Sequence, residues 1–118
     1  MAIQKWSESI TVVELGDEPE FSDELASVIE SFEETPCDVV LNFSAVSFIN
    51  SSNIAKLLRL RKQVASAERK MVLCGVNAQV WGVFLVTGLD KIFEFTNDIA
   101  TALATVQIAE KPREHRGD

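Results

Sequence analysis

"DVVLNF", Asp38 to Phe43, and "FINSSNIAKLL", Phe48 to Leu58, together form the stretch on which the fold turns. The first piece sets Val39, Val40 and Leu41 in an unbroken apolar run, the pattern of a central strand covered on both faces. The second sets Asn50, Ser51, Ser52 and Asn53 where the strand's exit becomes a helix. Asn and Ser there accept hydrogen bonds from the unpaired amides of a first helical turn, so at least one of them is expected to cap it. A serine hydroxyl at that place has a second use. Phosphate added to it would face amide donors and the positive end of the helix dipole, and would add roughly −1.5 to −2 charges to one exposed surface.

Beyond the serines, Ile54, Leu57, Leu58, Val64 and Ala65 mark the expected inner arc of a long helix. Arg61 falls within that arc, its stem expected over apolar surface and its guanidinium at the edge. Lys56, Arg59 and Lys62 project within about a third of a turn of one another on the opposite side. On an acidic protein such a stripe suits an acidic partner.

Upstream, Ile3 to Trp6 and Ile10 to Leu15 read as a hairpin closed off by Gly16. Asp17, Glu18 and Glu20 follow as an acidic loop, a solvated turn or a weak cation site. Leu25, Val28, Ile29 and Phe32 then repeat at helical spacing, with Ser22 expected as the cap and Pro36 beyond the end. Downstream, "KMVLCGV", Lys70 to Val76, gives another strand. Asn77 is placed to cap a short helix that stops at Gly88. "KIFEFT", Lys91 to Thr96, gives the last strand. Asn97 or Asp98 opens a final helix carrying Ile99, Ala102, Leu103 and Val106. The short helix is apolar nearly all round, so Trp81 and Leu85 either pack against the last helix or serve self-association or a partner.

This alternation predicts a single α/β domain over residues 1–109, a mixed four- to five-stranded sheet with an opening hairpin and about four helices. The tail from Glu110 to Asp118 has no apolar period and is expected to be disordered, its terminal Arg116-Gly117-Asp118 carrying no weight as an adhesion signal. In 118 residues there is room for one core. A net charge of −7 disfavours nucleic acid as a partner. No apolar stretch reaches membrane-spanning length and the opening residues lack a signal-peptide run, so a cytoplasmic protein is expected. Cys37 and Cys74 sit in or next to strand-like runs and are expected as buried, reduced thiols. The one histidine, His115, lies in the tail. Without a Ser-His or Cys-His pair, a P-loop, spaced dinucleotide glycines or a metal-ligand cluster, neither catalysis nor a metal or cofactor is expected.

In order and spacing, these pieces resemble the STAS family, of the anti-anti-sigma factor type, over nearly the whole chain. "VVLNF" resembles the family's central strand, and "SFINSSNIAKLL" stands at the place of its Asp-Ser-Ser-Gly-Leu-Gly segment. "KMVLCGVN" resembles the next strand. "VTGLDKIFEF" resembles a Thr-Gly-Leu and Phe signature before the last one.

The resemblance implies a partner-switching regulator: the unmodified form binds an anti-sigma factor serine kinase, phosphorylation releases it, and a phosphatase would restore it. By position Ser52 would be the phosphoacceptor, with Ser51 the second choice. Asn50, Asn53, Lys56, Arg59 and Lys62 would form the partner surface. Asn50 replaces the family's Asp, keeping a hydrogen-bonding shape without the charge, and Asn53 and Ala55 stand where Gly is frequent. The alternative is an unswitched STAS scaffold, or a subunit of a larger assembly such as a lipid-transport complex.

Overall fold

The computed structural model describes residues 3–110, with side chains through Ile108. The opening hairpin pairs β1 (Ile3–Lys5) antiparallel to β2 (Ile10–Glu14). Helix α1 (Glu20–Glu34) leads to β3 (Asp38–Asn42), and α2 (Ser51–Ser66) leads to β4 (Met71–Cys74). Helix α3 (Ala78–Thr87) and a 3-10 turn (Leu89–Lys91) precede β5 (Glu94–Thr96), and α4 (Ile99–Glu110) follows. The five strands lie in the order β1-β2-β3-β4-β5, parallel from β2 onward. The single-domain mixed sheet with four α-helices matches the reading of the sequence.

Stepwise parallel strands with crossovers of one hand put α1, α2 and α3 on one face. Val39 and Leu41 point into that layer, whereas Val40 points away, so the apolar run of β3 serves two cores at once. Phe43 centres the larger core, with its ring edge-on to Phe21 at 5.9 Å and Phe84 at 6.2 Å. On the other face Ile10, Val12, Val40, Val72 and Cys74 meet Ala102 and Val106 of α4. The expected stripe of the final helix is therefore in place, and Asp98 caps it by accepting from Thr101 N at 2.8 Å. Cys37 and Cys74 are both buried free thiols, and burial pushes the Cys74 thiol up to about 11.

The outer strands β1 and β5 are each only three residues long. At the end of the sheet away from the serines, Arg69 Nε lies 3.2 Å from buried Asp38, and Lys70 Nζ lies 3.1 Å from Glu94.

Four local expectations change. Helix α1 starts at Glu20, ahead of Ser22, because Glu20 N and Phe21 N already donate to Asp17 O. Ser22 is thus inside the first turn, where its own amide needs a partner from upstream. The buried row of α2 is Asn53, Leu57, Leu60 and Val64, with Leu58 and Ala65 outside it. That row is rotated by roughly 75° from the arc read on the helical wheel. Arg61 is exposed, and its Nε donates to Ile92 O at 3.2 Å. The last strand is shortened to Glu94–Thr96 because Gly88, left-handed at φ +78°, ends α3 and turns Leu89–Lys91 into the 3-10 turn. Trp81 and Leu85 cannot pack on the last helix, which lies on the other face of the sheet. Trp81 instead sets its ring edge-on to Phe95 at 5.0 Å, and Leu85 is half exposed. Glu110, the first residue of the expected tail, is the last residue of α4, and residues 111–118 of that tail lie outside the described residues.

Candidate functional site

The serine turn sits at the carboxyl ends of the parallel strands, where α/β sheets commonly hold their working loops. Asn42, the last residue of β3, starts the exit: its Oδ1 accepts from Ser44 N at 3.0 Å and from Ser44 Oγ at 2.7 Å. Gly75 leaves room for this turn. At φ +71° a Cβ there would lie 2.5 Å from Ser44 Oγ and 2.9 Å from Asn42 Oδ1. Further along, Asn77 Nδ2 donates to Val46 O at 3.1 Å while Asn77 Oδ1 caps α3 by accepting from Val80 N at 2.7 Å. The loop before the serines is therefore held from both neighbouring connections.

Asn50 is the N-cap of α2, and the cap is reciprocal. Asn53 N donates to Asn50 Oδ1 at 2.8 Å, and Asn50 N donates to Asn53 Oδ1 at 3.0 Å, an amide version of the capping box. With both cap positions filled by asparagines, the neighbouring serines are not needed for that work. Ser51 and Ser52, the first two residues of the helix, are exposed. Ser52 Oγ accepts a hydrogen bond from Lys56 Nζ at 3.0 Å, one helical turn on.

The acidic loop is an exposed turn from Glu18 to Glu20, as expected, but two of its carboxylates are engaged by the fold. Ser47 N donates to Asp17 Oδ1 at 2.8 Å. Glu18 reaches further: its Oε2 accepts from Asn53 Nδ2 at 2.6 Å and from Ser22 Oγ at 2.6 Å, and its Oε1 accepts from Ser22 N at 3.1 Å. One carboxylate thus joins the first turns of α1 and α2. Hydrogen bonds from Ser22, then Asn53, and the nearby charge of Lys56 hold the Glu18 carboxyl below its ordinary value. The Ser47 backbone amide and then its side chain do the same for Asp17.

Of the expected partner surface, Asn50, Arg59 and Lys62 are exposed and Lys56 is half-buried. Asn53 is only 2% exposed, its amide spent on Asn50 and Glu18. Arg59 lines both of two adjoining depressions between α1 and α2, of about 310 and 330 Å³, with Lys56 on the first and Lys62 on the second. Glu30 and Glu33 of α1 face them across this groove, which is floored by Ile29. At the serine end of the sheet a cavity of about 450 Å³ is lined by Glu14, Glu20 and Glu24 with Asn42 and Ser44. Phe48, two residues before the cap, is 59% exposed.

A five-stranded mixed sheet with three crossover helices on one face, and a capped serine turn at its strand ends, is the architecture of a STAS domain. The chain belongs to the STAS domain family, whose model matches residues 4–102. It is 28% identical over 98 residues to the putative anti-sigma factor antagonist BtrV of Bordetella bronchiseptica, covering 83% of this chain and 82% of that one. Its fold is similar to that of a putative anti-sigma factor antagonist from Thermotoga maritima, with a TM-score of 0.77 at 18% identity over 89% of this chain and 92% of the other. It is also similar to the anti-sigma factor antagonist SpoIIAA in its unphosphorylated form, with a TM-score of 0.75 at 16% identity over 89% of this chain and 94% of that one. The Bacillus SpoIIAA structure in its phosphorylated form gives 0.68 at 18% identity over 88% and 96%. Among the described residues no helix is long and apolar enough to cross a membrane.

Proposed function

We propose that this chain is an anti-sigma factor antagonist that works in the cytoplasm by partner switching, binding an anti-sigma factor serine kinase and losing that partner when Ser52 is phosphorylated. The observation that carries the reading is the division of labour at α2: Asn50 and Asn53 cap the helix, leaving the Ser52 hydroxyl exposed and outside the cap. Membership of the STAS family, the likeness to BtrV and the two SpoIIAA forms support it. In the transfer Ser52 Oγ takes the γ-phosphoryl group of ATP, ADP leaves, and the hydroxyl proton passes to a base on the kinase. The added charge then repels a partner seated over Asn50, Ser51 and Ser52, while Arg59 and Lys62 steer acidic groups of that partner toward the groove beside them. A phosphatase that removes the phosphate restores binding. Asn53 contributes from beneath the surface, by fixing the cap.

The test is incubation with an anti-sigma factor serine kinase and ATP. Label is expected on Ser52, with Ser52→Asp weakening the complex and Ser52→Ala preserving it. Label that persists in Ser52→Ala but is lost in Ser51→Ala moves the site by one residue. A partner complex indifferent to kinase treatment favours the unswitched scaffold instead.

A further inference from the structure

The contact between Lys56 and Ser52 has no part in capping α2 or in filling the core. Lys56 Nζ reaches back one turn to the Ser52 oxygen at 3.0 Å, and Lys56 also lines the groove between α1 and α2. The backbone beneath the pair is fixed, because the Asn50–Asn53 box and the Glu18 bridge hold the first turn of α2 to the rest of the fold.

We infer that Lys56 is the internal counterion of a phosphoryl group on Ser52, and that Glu18 competes with that group for it. The inference rests on Ser52 being the modified residue. A lysine is a compact charge on a flexible stem, so its ammonium can follow an oxygen on Ser52 outward to the phosphate oxygens with the helix unmoved. The other charged groups around this position are Arg59 further along α2, Glu30 and Glu33 across the groove on α1, and Asp17 and Glu18 in the loop after β2. Asp17 is already engaged by the Ser47 amide. Glu18 is bonded to Asn53 in the same turn and feels the charge of Lys56, so a dianion at Ser52 would draw on a lysine that the Glu18 carboxylate already attracts. Modification thus adds the phosphate's full charge beside a lysine that is already in place and favours its dianion, and removing the Glu18 charge tightens the hold of Lys56 on phosphate.

The test uses the full chain with phosphoserine inserted at position 52 during translation, so that no kinase is involved. The second ionisation of that phosphate, near 6 in an unperturbed phosphoserine, is followed by phosphorus NMR against pH. Relative to the parent phosphoprotein it is expected to rise by about half a unit in Lys56→Met, an exposed-pair magnitude, to stay lowered in Lys56→Arg, and to fall further in Glu18→Gln. Circular dichroism verifies that each variant is folded. An unchanged value in Lys56→Met overturns the counterion, and an unchanged or raised value in Glu18→Gln overturns the competition. Failure of kinase labelling at Ser52 with these shifts intact would count against the proposed function and leave the charge pairing standing.

Discussion

Glu18 Oε2 and Asn53 Nδ2, 35 positions apart in the chain, meet at 2.6 Å, and through this contact the loop after β2 holds the helix that presents Ser52. Asn53 is buried and serves two partners at once. Replacing it by alanine strips Glu18 of one donor and the Asn50 amide of its acceptor. Asn53→Ala is therefore expected to lower stability by about 1–2 kcal/mol in chemical denaturation, with amide exchange at Ser51 and Ser52 accelerated more than in the sheet.

Asn50 can be tested separately from Asn53. Because the cap uses the side-chain oxygen, Asn50→Asp keeps the acceptor and adds a charge favoured at a helix N-terminus, whereas Asn50→Ala removes it. The aspartate variant is expected to fall within a few tenths of a kcal/mol of the parent, and the alanine variant about 1 kcal/mol below it, in thermal or urea unfolding. Equal losses in both would show that the amide nitrogen of Asn50, and not its oxygen, does the holding.

Acid should loosen the same region first. Glu18 and Asp17 both have folded-state carboxyls below their ordinary values of 4.5 and 3.8, so the folded chain binds fewer protons than the unfolded one in that range. Their stabilisation is complete above those ordinary values and is lost as pH falls through the lowered ones. In an NMR titration the amides of Ser22 and Ser47 are expected to move together in that acid window while those of β3 and β4 stay fixed. Simultaneous movement of all four would mean global unfolding in place of local release.

Two glycines give a matched comparison. Both Gly75 and Gly88 have positive φ, but a Cβ at Gly88 meets nothing within 4 Å, whereas one at Gly75 strikes the Asn42–Ser44 turn. Gly88→Ala is expected to cost about 1 kcal/mol, the conformational penalty alone. Gly75→Ala should cost about 2 kcal/mol or more and disturb the Ser44 resonances. The difference between the two measures how tightly the turn before the serine site is packed.

Periodicity made most of the frame legible. The helical repeats of α1 and α4, the doubly covered strand β3 and the Asn77 to Gly88 limits of α3 follow from local spacing alone, and local spacing is what a sequence displays. The rotation of α2 was not legible in the same way. Ile54, Leu58 and Arg61 fit an apolar arc as well as Asn53 and Leu60 do, until a buried asparagine is admitted to the inner row. That choice depends on Glu18, a residue distant in the chain that reads locally as a solvated acid. Only the parallel register of Glu14 against Asn42 brings its loop beside the exit from β3. The serine turn itself was visible because capping chemistry uses few residue types. Which residues did the capping, and which were left free, needed side-chain positions.

The two outermost strands have a consequence for how the chain behaves when it is concentrated. Each offers only three residues of unpaired backbone, and on β5 the outlying Glu94 is engaged by Lys70. Long flat borders invite further strands to add and grow into fibres, and borders this short give them little to grip. Growth of the sheet by addition of further strands at either border is therefore disfavoured when this chain accumulates.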